Sequence, residues 1–530
     1  MSPIRINSLS LTIVLSFAII LGRIIYWQFR IPLSLKRQEI TQKYNINQIL
    51  PNQGKIYYHD QSLLAGSERV YRLSLYKPNL KQPLNKVFET IKQQINQLSS
   101  TDHSRLDQAS QKTTLKWIDL DTPIDPSQYQ SLKQVAGLEF KPSLSRYYPE
   151  SNYFPELYQN IDTFYRRSIY GKSGYFYSNQ DALGLPILTQ HSLYLEPTNG
   201  WDLQTSLNRQ VQLVIENTIN SGLETYKADH GIAIVLEPHT GRVLAMTAIG
   251  SSTPNLNPIN YLFEPGSIFK PLTTAAALDS QAIDQNFICP NCDRPFVASG
   301  FSINNWDNSF HPQSSLQDII KNSDNIGMSQ IITLLGKDRF LRYFHLLGLD
   351  QKTGIDLPNE SISPQKPFWS PIDLATASFG QGFAITPIQM IQAFNVLANS
   401  GQLARPHLGV SLTNGVSIKK IERLSTTPIF RPPTISQINH ILQYAVNNGP
   451  AAQFNSQKLE VCAKSGTAQV AIDGQYSSQE AIASYIGYAP CQNAKFTMLV
   501  VLVNPKTSTW GSSTAAPLWF ALASKISKLL

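Results

Sequence analysis

Ser267 and Lys270 stand three residues apart in the segment NYLFEPGSIFKPLTTAAALDS, which spans residues 260–280. They follow a Pro-Gly pair and precede an apolar, alanine-rich run, so the spacing predicts that both lie on one face of a helix start. A serine hydroxyl is a poor nucleophile until a base removes its proton. A lysine can be that base if burial or a nearby cation lowers its pKa. The pair therefore predicts a serine nucleophile, Ser267, with Lys270 beside it.

Two further motifs distinguish this pair from chance, because Ser417 and Lys420 form another S-x-x-K in a strand-like context. Ser323-Asp324-Asn325 precedes a helical run, and Lys464-Ser465-Gly466-Thr467 lies in a β-prone segment near the C-terminus. Each short pattern has a decoy, Ser302-Ile303-Asn304 for the first and Lys172-Ser173-Gly174 for the second. The specific signal is the order of the three motifs within one region of mixed helices and strands.

Beyond these motifs, several segments make the sequence resemble the class B penicillin-binding proteins, the single-pass D,D-transpeptidases of bacterial cell-wall synthesis. The segments are EPGSIFKP, TGIDLP at 353–358, ATASFGQGFAITPIQM at 375–390, AKSGTAQ and YIGYAP. The resemblance covers the chain from about residue 200 onward, and NSDNIGM and YIGYAP resemble the division-type enzymes more than the elongation type. Before residue 200 only GKIYYHDQSLLA and SRYYPE are similar to the family's pedestal. Ser465 stands where threonine is commoner in the family.

The resemblance implies a catalytic role for five residues. Ser267 attacks the carbonyl between the two D-alanines of a peptidoglycan stem peptide, and Lys270 is the general base. Ser323 relays a proton to the departing amine, and Asn325 holds the acyl-donor amide and fixes Lys270. Lys464 lowers the pKa of Lys270 by like-charge repulsion.

The resemblance also implies how the substrate is bound. With Lys464, Ser465 and Thr467 bind the terminal carboxylate, and Gly466 leaves room for the strand to approach the substrate. The backbone N–H groups of Ser267 and Thr467 form the oxyanion hole. Neither a cofactor nor a metal is implied.

Composition limits the other functions that this chain could have. A chain of 530 residues is longer than one ordinary domain, so two or more domains are expected. The formal charge is +8 without a long basic run, which disfavours a nucleic-acid partner and leaves an anionic surface such as a membrane or wall polymer as an explanation. Four cysteines exclude a disulfide scaffold. For Cys289 and Cys292, a local disulfide or buried thiols are preferred to a redox or half-zinc motif.

The N-terminus predicts a membrane anchor. Residues 9–26, LSLTIVLSFAIILGRIIY, are nearly all apolar and close to the length of a bilayer span. A cleaved signal peptide is the alternative, but the bulky residues that follow offer no cleavage site. The basic residues Arg23, Arg30, Lys36, Arg37 and Lys43 follow the span, a charge pattern that alone favours a cytoplasmic body. The implied chemistry overrules it, because the cross-linking substrate lies outside the cytoplasmic membrane.

The predicted fold is α+β: a serine transpeptidase domain with an antiparallel sheet flanked by helices, preceded by a strand-rich pedestal and one transmembrane helix. The expected domains are 1–30 for the cytoplasmic stub and anchor, 31–200 for the pedestal, and 201–530 for the transpeptidase. Residues 205–226 read as a helix, and 231–250 read as two strands around a turn. The C-terminal end reads as strands followed by a closing helix.

The function predicted from the sequence is a membrane-anchored D,D-transpeptidase of septal wall synthesis that also binds β-lactams covalently. Its expected partners are stem peptides, β-lactam antibiotics, membrane lipid, a polytopic glycosyltransferase and other division proteins. A serine β-lactamase is disfavoured because the glutamate of an E-x-x-L-N loop is not found. An inert β-lactam sensor or structural division protein is the other alternative, and the intact motifs disfavour it. A bifunctional class A enzyme is disfavoured because the region before residue 200 lacks the acidic motifs of a glycosyltransferase.

Overall fold

The computed structural model describes residues 3–29, 44–95, 98–111, 115–150, 154–181, 186–187, 193–250, 257–364, 366–421, 426–455, 459–472 and 475–530. Four of the basic residues that follow the predicted anchor, Arg30, Lys36, Arg37 and Lys43, lie outside these ranges.

The N-terminal part of the chain is rich in strands, as its alternating sequence predicts. Its helices are α1 (Pro3–Phe29), α2 (Leu84–Gln94), α3 (Ser100–Gln111), α4 (Pro126–Leu132) and α5 (Pro155–Ile169). Its strands are β1 (Tyr44–Ile49), β2 (Ile56–Tyr57), β3 (Leu63–Tyr76), β4 (Trp117–Asp119), β5 (Leu138–Tyr147), β6 (Gly174–Gln180), β7 (Pro186–Ile187), β8 (Leu193–Leu195) and β9 (Asp202–Thr205).

The C-terminal part of the chain mixes helices and strands. Its helices are α6 (Arg209–Tyr226), α7 (Lys270–Asp279), α8 (Leu316–Lys321), α9 (Asn325–Leu335), α10 (Lys337–Leu346), α11 (Pro371–Ala377), α12 (Pro387–Ala398), α13 (Pro432–Asn448) and α14 (Ala515–Ile526). Its strands are β10 (His230–Leu236), β11 (Val243–Gly250), β12 (Phe296–Ala298), β13 (Phe301–Ile303), β14 (Gln402–Ala404), β15 (Gly409–Thr413), β16 (Ile418–Lys420), β17 (Thr426–Pro428), β18 (Cys462–Ile472), β19 (Gln475–Ala489) and β20 (Phe496–Val503).

Two compact units divide the chain, and the first comprises Met1–Asn52 and Tyr170–Gly200. It contains α1 and a sheet in which β6 pairs with β1, β7 and β8. Residues 13–26 of α1 are exposed. Among the described residues, no helix combines the length and the apolar character needed to cross a bilayer. The predicted anchor therefore stays a prediction.

The second unit comprises Gln53–Ile169 and Trp201–Leu530. Within it, a seven-stranded sheet has the order β16-β15-β9-β2-β3-β4, with β5 paired to β3. The helices α2, α3 and α4 supply apolar residues such as Phe88, Leu106 and Leu132 to a core on β3 and β4. The predicted domain 31–200 thus contributes residues to both units, and its boundaries stay predictions.

The second unit also contains an antiparallel sheet, as the sequence predicts. This sheet has five strands in the order β11-β10-β20-β19-β18. Every residue of β10 and of β20 is buried, because helices cover both faces of these strands. On one face, α6 and α14 contribute Val211, Ile215 and the fully buried Trp519 to a shared core. On the other face lies α12, all of whose residues are buried, and its Asn395 accepts a 2.6 Å hydrogen bond from Thr497 of β20.

Candidate active site

Ser267 lies in a single 3₁₀ turn, Gly266–Phe269, that leads directly into α7. A contact with a distant segment of the chain holds this turn in place: the Gly266 N–H donates a 2.8 Å hydrogen bond to the Gly380 carbonyl. Both glycines have positive φ, 60° and 83°, and a Cβ on Gly380 would collide with the Gly266 backbone. Glycine is the residue that adopts such backbone without strain. This contact places the FGQG segment beside the turn that bears Ser267.

Lys270, the first residue of α7, is fully buried, and its ammonium nitrogen is surrounded by acceptors. Its Nζ donates to the Ser323 carbonyl at 2.5 Å, to Ser323 Oγ at 3.0 Å and to Asn325 Oδ1 at 2.8 Å. A buried amine is tolerated only where such partners replace water. The contacts join the first and second sequence motifs, which are more than fifty residues apart in the chain.

Ser323 is the residue that connects Lys270 with Ser267. Its hydroxyl lies 2.8 Å from Ser267 Oγ as well as 3.0 Å from Lys270 Nζ. Its φ is 55°, a left-handed conformation that is uncommon for residues other than glycine and recurs at functional sites. The turn is stabilised by the next residue, Asp324, whose carboxylate caps α9 by accepting a 2.7 Å hydrogen bond from the Gly327 N–H.

Burial and charge both act on the two lysines. Burial lowers the pKa of Lys270 well below its usual value, and the positive charge of Lys464 lowers it further. The negative charge of Asp324 acts in the opposite direction and raises the pKa of Lys270. Burial also lowers the pKa of Lys464, to about 7. A lysine with a strongly lowered pKa can be neutral near neutral pH, which is the state that accepts a proton.

The third motif lies on β18, which packs against the turn that bears Ser267. Lys464 is nearly fully buried, and its Nζ donates a 2.9 Å hydrogen bond to the Ser465 carbonyl. A Cβ on Gly466 would lie 2.5 Å from Ser484 Oγ, 2.9 Å from Ile268 Cγ2 and 3.1 Å from the Pro265 carbonyl. The missing side chain thus makes room for Ser484 and for the turn that bears Ser267, and the predicted role of Gly466 beside the substrate stays a prediction.

A cavity of about 760 Å³ brings the predicted residues together. Those that line it are Ser267, Ser323, Asn325, Lys464, Ser465, Gly466 and Thr467. Lys270 is buried beneath this lining, and its Nζ contacts the lining residue Ser323. The decoy pair is excluded by its position, because Ser417 and Lys420 lie exposed on a hairpin of β15 and β16.

The cavity is also lined by residues that were not predicted from the sequence as site residues. Trp306 and Trp510 are both exposed at the cavity, with their ring centroids 4.8 Å apart. Trp519, further along the C-terminal region, is instead fully buried in the core. His311 also lines the cavity and is hydrogen-bonded to Asp324. The sequence signal available for His311 was Asp324, the acidic residue inside the S-x-N motif, because a buried carboxylate needs a hydrogen-bond donor as its partner.

The cysteines form two disulfides. Cys289 and Cys292 are joined locally, which was one of the two preferred alternatives. Cys462 and Cys491 are also joined, a pairing that the sequence analysis missed because the residues are 29 apart. The second disulfide ties the first residue of β18 to the segment that follows β19. Within the described ranges, no group of three or more His, Cys, Asp or Glu side chains is arranged to hold a metal ion.

Comparison with known proteins gives the class of protein that this fold and site define. Residues 231–527, more than half of the chain, match the family described as penicillin binding protein transpeptidase domain. Residues 48–185 match the penicillin-binding protein dimerisation domain. The chain belongs to the penicillin-binding protein transpeptidase family, and this pair of domains makes it a class B member, as the sequence predicted.

Individual relatives agree with this assignment. The stage V sporulation protein D of Bacillus subtilis is 29% identical over 68% of this chain and 58% of its own length. The peptidoglycan D,D-transpeptidase FtsI of Escherichia coli is 23% identical over 96% of this chain and 89% of its own length. A solved complex between penicillin-binding protein PBP2 and MreC from Helicobacter pylori has the same fold, with a TM-score of 0.70, 20% identity, and coverage of 92% of this chain and 99% of that one.

Proposed function

We propose that this protein is a serine D,D-transpeptidase that cross-links peptidoglycan stem peptides through an acyl-enzyme on Ser267. The observation that carries the proposal is the continuous series of contacts from Ser267 Oγ through Ser323 Oγ to the buried Lys270 Nζ. A hydroxyl both donates and accepts, so this series can carry a proton in either direction. This path gives Ser267 access to a base, which a serine hydroxyl needs in order to become a nucleophile.

In the acylation step, Ser267 Oγ attacks the carbonyl carbon between the two D-alanines. The Ser267 proton passes through Ser323 to neutral Lys270, and a tetrahedral intermediate forms. The backbone N–H groups of Ser267 and Thr467 stabilise its oxyanion, and losing one such donor costs about 3 to 4 kcal/mol. The proton then returns through Ser323 to the leaving nitrogen, the C–N bond breaks, and D-alanine departs from the Ser267 ester.

Binding of the acyl donor uses the third motif and Asn325. Lys464 in its charged form, with Ser465 and Thr467, binds the terminal carboxylate of the stem peptide. One Asn325 Nδ2 hydrogen is directed to the Asn304 carbonyl at 3.2 Å, while Oδ1 accepts from Lys270. The second Nδ2 hydrogen remains for the carbonyl oxygen of the acyl-donor amide.

In the transfer step, an amine from a neighbouring stem peptide attacks the ester carbonyl. Lys270 takes the proton that the amine loses, the ester bond breaks, and the proton is returned to Ser267 Oγ. The products are a new amide cross-link and the free enzyme. The same first step on a β-lactam ring opens the ring and leaves a long-lived ester on Ser267, because the ring nitrogen cannot depart.

The location follows from the substrate, which lies outside the cytoplasmic membrane. We propose that residues 9–26 anchor the chain as a single pass, with residues 31–200 as pedestal and 201–530 as transpeptidase domain beyond the membrane. The proposed partners are membrane lipid, a polytopic glycosyltransferase and other division proteins. A role in the septum is supported by NSDNIGM and YIGYAP and by a relative named FtsI. Protein partners are supported by the PBP2–MreC complex.

The test is covalent labelling of the full-length chain in detergent with a fluorescent penicillin, followed by mass spectrometry of the labelled peptide. We expect the adduct on Ser267, stable for many minutes, and no adduct in Ser267→Ala. Ser417→Ala, in the decoy S-x-x-K, is the matched control and keeps the label. Rapid release of the adduct would instead indicate a β-lactamase, and no adduct would indicate an inert protein. A transpeptidase must also join a stem peptide to an acceptor amine, detected as a new amide by mass spectrometry.

A further inference from the structure

The middle residue of the Ser-Asp-Asn turn carries a buried carboxylate with two donors. Asp324 is fully buried, and its Oδ1 accepts from the Gly327 N–H at 2.7 Å. Its Oδ2 lies 2.9 Å from Nδ1 of His311, a residue about one quarter exposed that lines the active-site cavity. A carboxylate at Oδ2 requires that Nδ1 carry the hydrogen, which fixes the histidine tautomer.

His311 ends a loop, residues 304–311, that is hydrogen-bonded along the whole turn. The Asn304 carbonyl accepts from Asn325 Nδ2 at 3.2 Å, and Asn305 Oδ1 accepts from the Asn325 N–H at 2.8 Å. The Trp306 Nε1–H donates to the Asn322 carbonyl at 3.1 Å. Of these hydrogen bonds between the loop and the turn, the His311–Asp324 contact is the one made by a buried carboxylate. The loop therefore supports the residues on both sides of Ser323.

The other groups that face this pair are on neighbouring elements. His311 Nε2 lies 3.1 Å from Ser309 Oγ, and the Ser309 hydroxyl donates its hydrogen to Asp307 Oδ2 at 2.6 Å. The Asp324 carboxylate acts electrostatically on Lys270 of α7, and Lys464 of β18 acts on Lys270 with the opposite sign. The charged groups to be considered are thus Asp307, Asp324, Lys270 and Lys464.

We propose that His311 is a positioning residue of the acyl transfer, a role that rests on the proposed function: its Nδ1–H bond to Asp324 holds the Ser323–Asn325 turn against Ser267 and Lys270. Without this donor, the buried carboxylate would lose one partner, which is costly in a water-poor site. The turn would then shift, or the less compensated carboxylate would act more strongly on Lys270. A stronger negative charge favours the protonated amine, so the base would lose its neutral form at a higher pH than in the unchanged protein.

The test is the rate of acylation of Ser267 by a fluorescent penicillin, measured from pH 5 to 9 for the full-length chain and its variants. For His311→Ala we expect acylation to slow by about 10- to 100-fold, the factor that corresponds to the free energy of one hydrogen bond to a charged group. We also expect the acid limb of the pH–rate profile of this variant to move to higher pH. His311→Asn places an N–H near the Nδ1 position and should recover most of the rate, whereas His311→Gln should not.

The matched control is His345→Ala, because His345 Nδ1 makes the same 2.9 Å contact with Asp350 Oδ2 on an exposed surface outside the cavity. It should keep the rate and the pH profile. Equal rates and profiles for His311→Ala and the unchanged protein would overturn the inference. If His311→Ala does not fold, equal rates for His311→Asn and His311→Gln would overturn it. If the unchanged protein is not labelled at Ser267, the proposed function itself fails.

Discussion

The hydroxyl of Ser323 lies 2.8 Å from the hydroxyl of Ser267, and a residue with positive φ holds it there. The same hydroxyl is 3.0 Å from the buried amine of Lys270. Ser323 is thus the shared neighbour of the proposed nucleophile and its proposed base. Its strained backbone is stabilised by the cap of α9 and by the 304–311 loop, so the site depends on elements from three parts of the chain.

Ser323→Ala should slow acylation of Ser267 strongly while leaving the fold intact. Removing the hydroxyl interrupts the proton path, and a positioned proton-transfer group contributes about 10²- to 10⁴-fold. The measurement is the rate of labelling by a fluorescent penicillin at saturating concentration. Ser280→Ala is the control, because the Ser280 hydroxyl bonds the Ala276 carbonyl at the other end of α7. A labelling rate for Ser323→Ala equal to that of the control would contradict the relay.

The pH dependence of substrate capture should report Lys464. Its pKa is lowered to about 7 by burial, so its cation is present below that pH and is lost as the pH rises through it. Because we propose that this cation binds the substrate carboxylate, the second-order rate constant for acylation should fall above about pH 7. In Lys464→Arg the guanidinium stays charged, so any remaining activity should lack this alkaline limb. An unchanged alkaline limb in that variant would assign it to another group.

Gly466→Ala should separate β18 from the turn that bears Ser267. The added methyl would lie 2.5 Å from Ser484 Oγ and 2.9 Å from Ile268, closer than atoms normally approach. A displacement near 1 Å at a catalytic residue costs about 100-fold in rate, so acylation should slow to that extent. Ser484→Ala in the same chain removes the closest contact and should restore part of the rate. Wild-type acylation by Gly466→Ala alone would show that the strand and turn can adjust without loss.

The two disulfides should differ in their effect on stability. Cys462 and Cys491 close a loop of 29 residues, and replacing both by alanine should lower the free energy of unfolding by about 3 to 4 kcal/mol. Cys289 and Cys292 are only three residues apart, and the same replacement should cost about 2 kcal/mol. Urea unfolding of both double variants tests the order. A larger loss for the Cys289–Cys292 variant would contradict the account based on loop length.

Local pattern was enough to predict many elements of the fold. The apolar spacing in 205–226 predicts a helix, and the structure has Arg209–Tyr226, begun by the Asn208 cap. The alternation in 231–250 predicts two strands, and β10 pairs with β11 as expected. The sequence could not predict that β10 also pairs with β20, because its partner lies more than 260 residues away. Pairing over such separations depends on the packing of the whole domain.

The amino-acid sequence alone was enough to predict which residue types carry the chemistry and in which order: a serine and a lysine three apart, a Ser-Asp-Asn turn, and a Lys-Ser-Gly strand. It determined the class of protein as well, through segments that resemble one family. Only the tertiary structure decided that Lys270 contacts Ser323, which in turn contacts Ser267, that Gly466 makes room for the turn that bears Ser267, and that His311 bonds Asp324. These depend on distances between segments far apart in the chain, which spacing along the sequence does not contain.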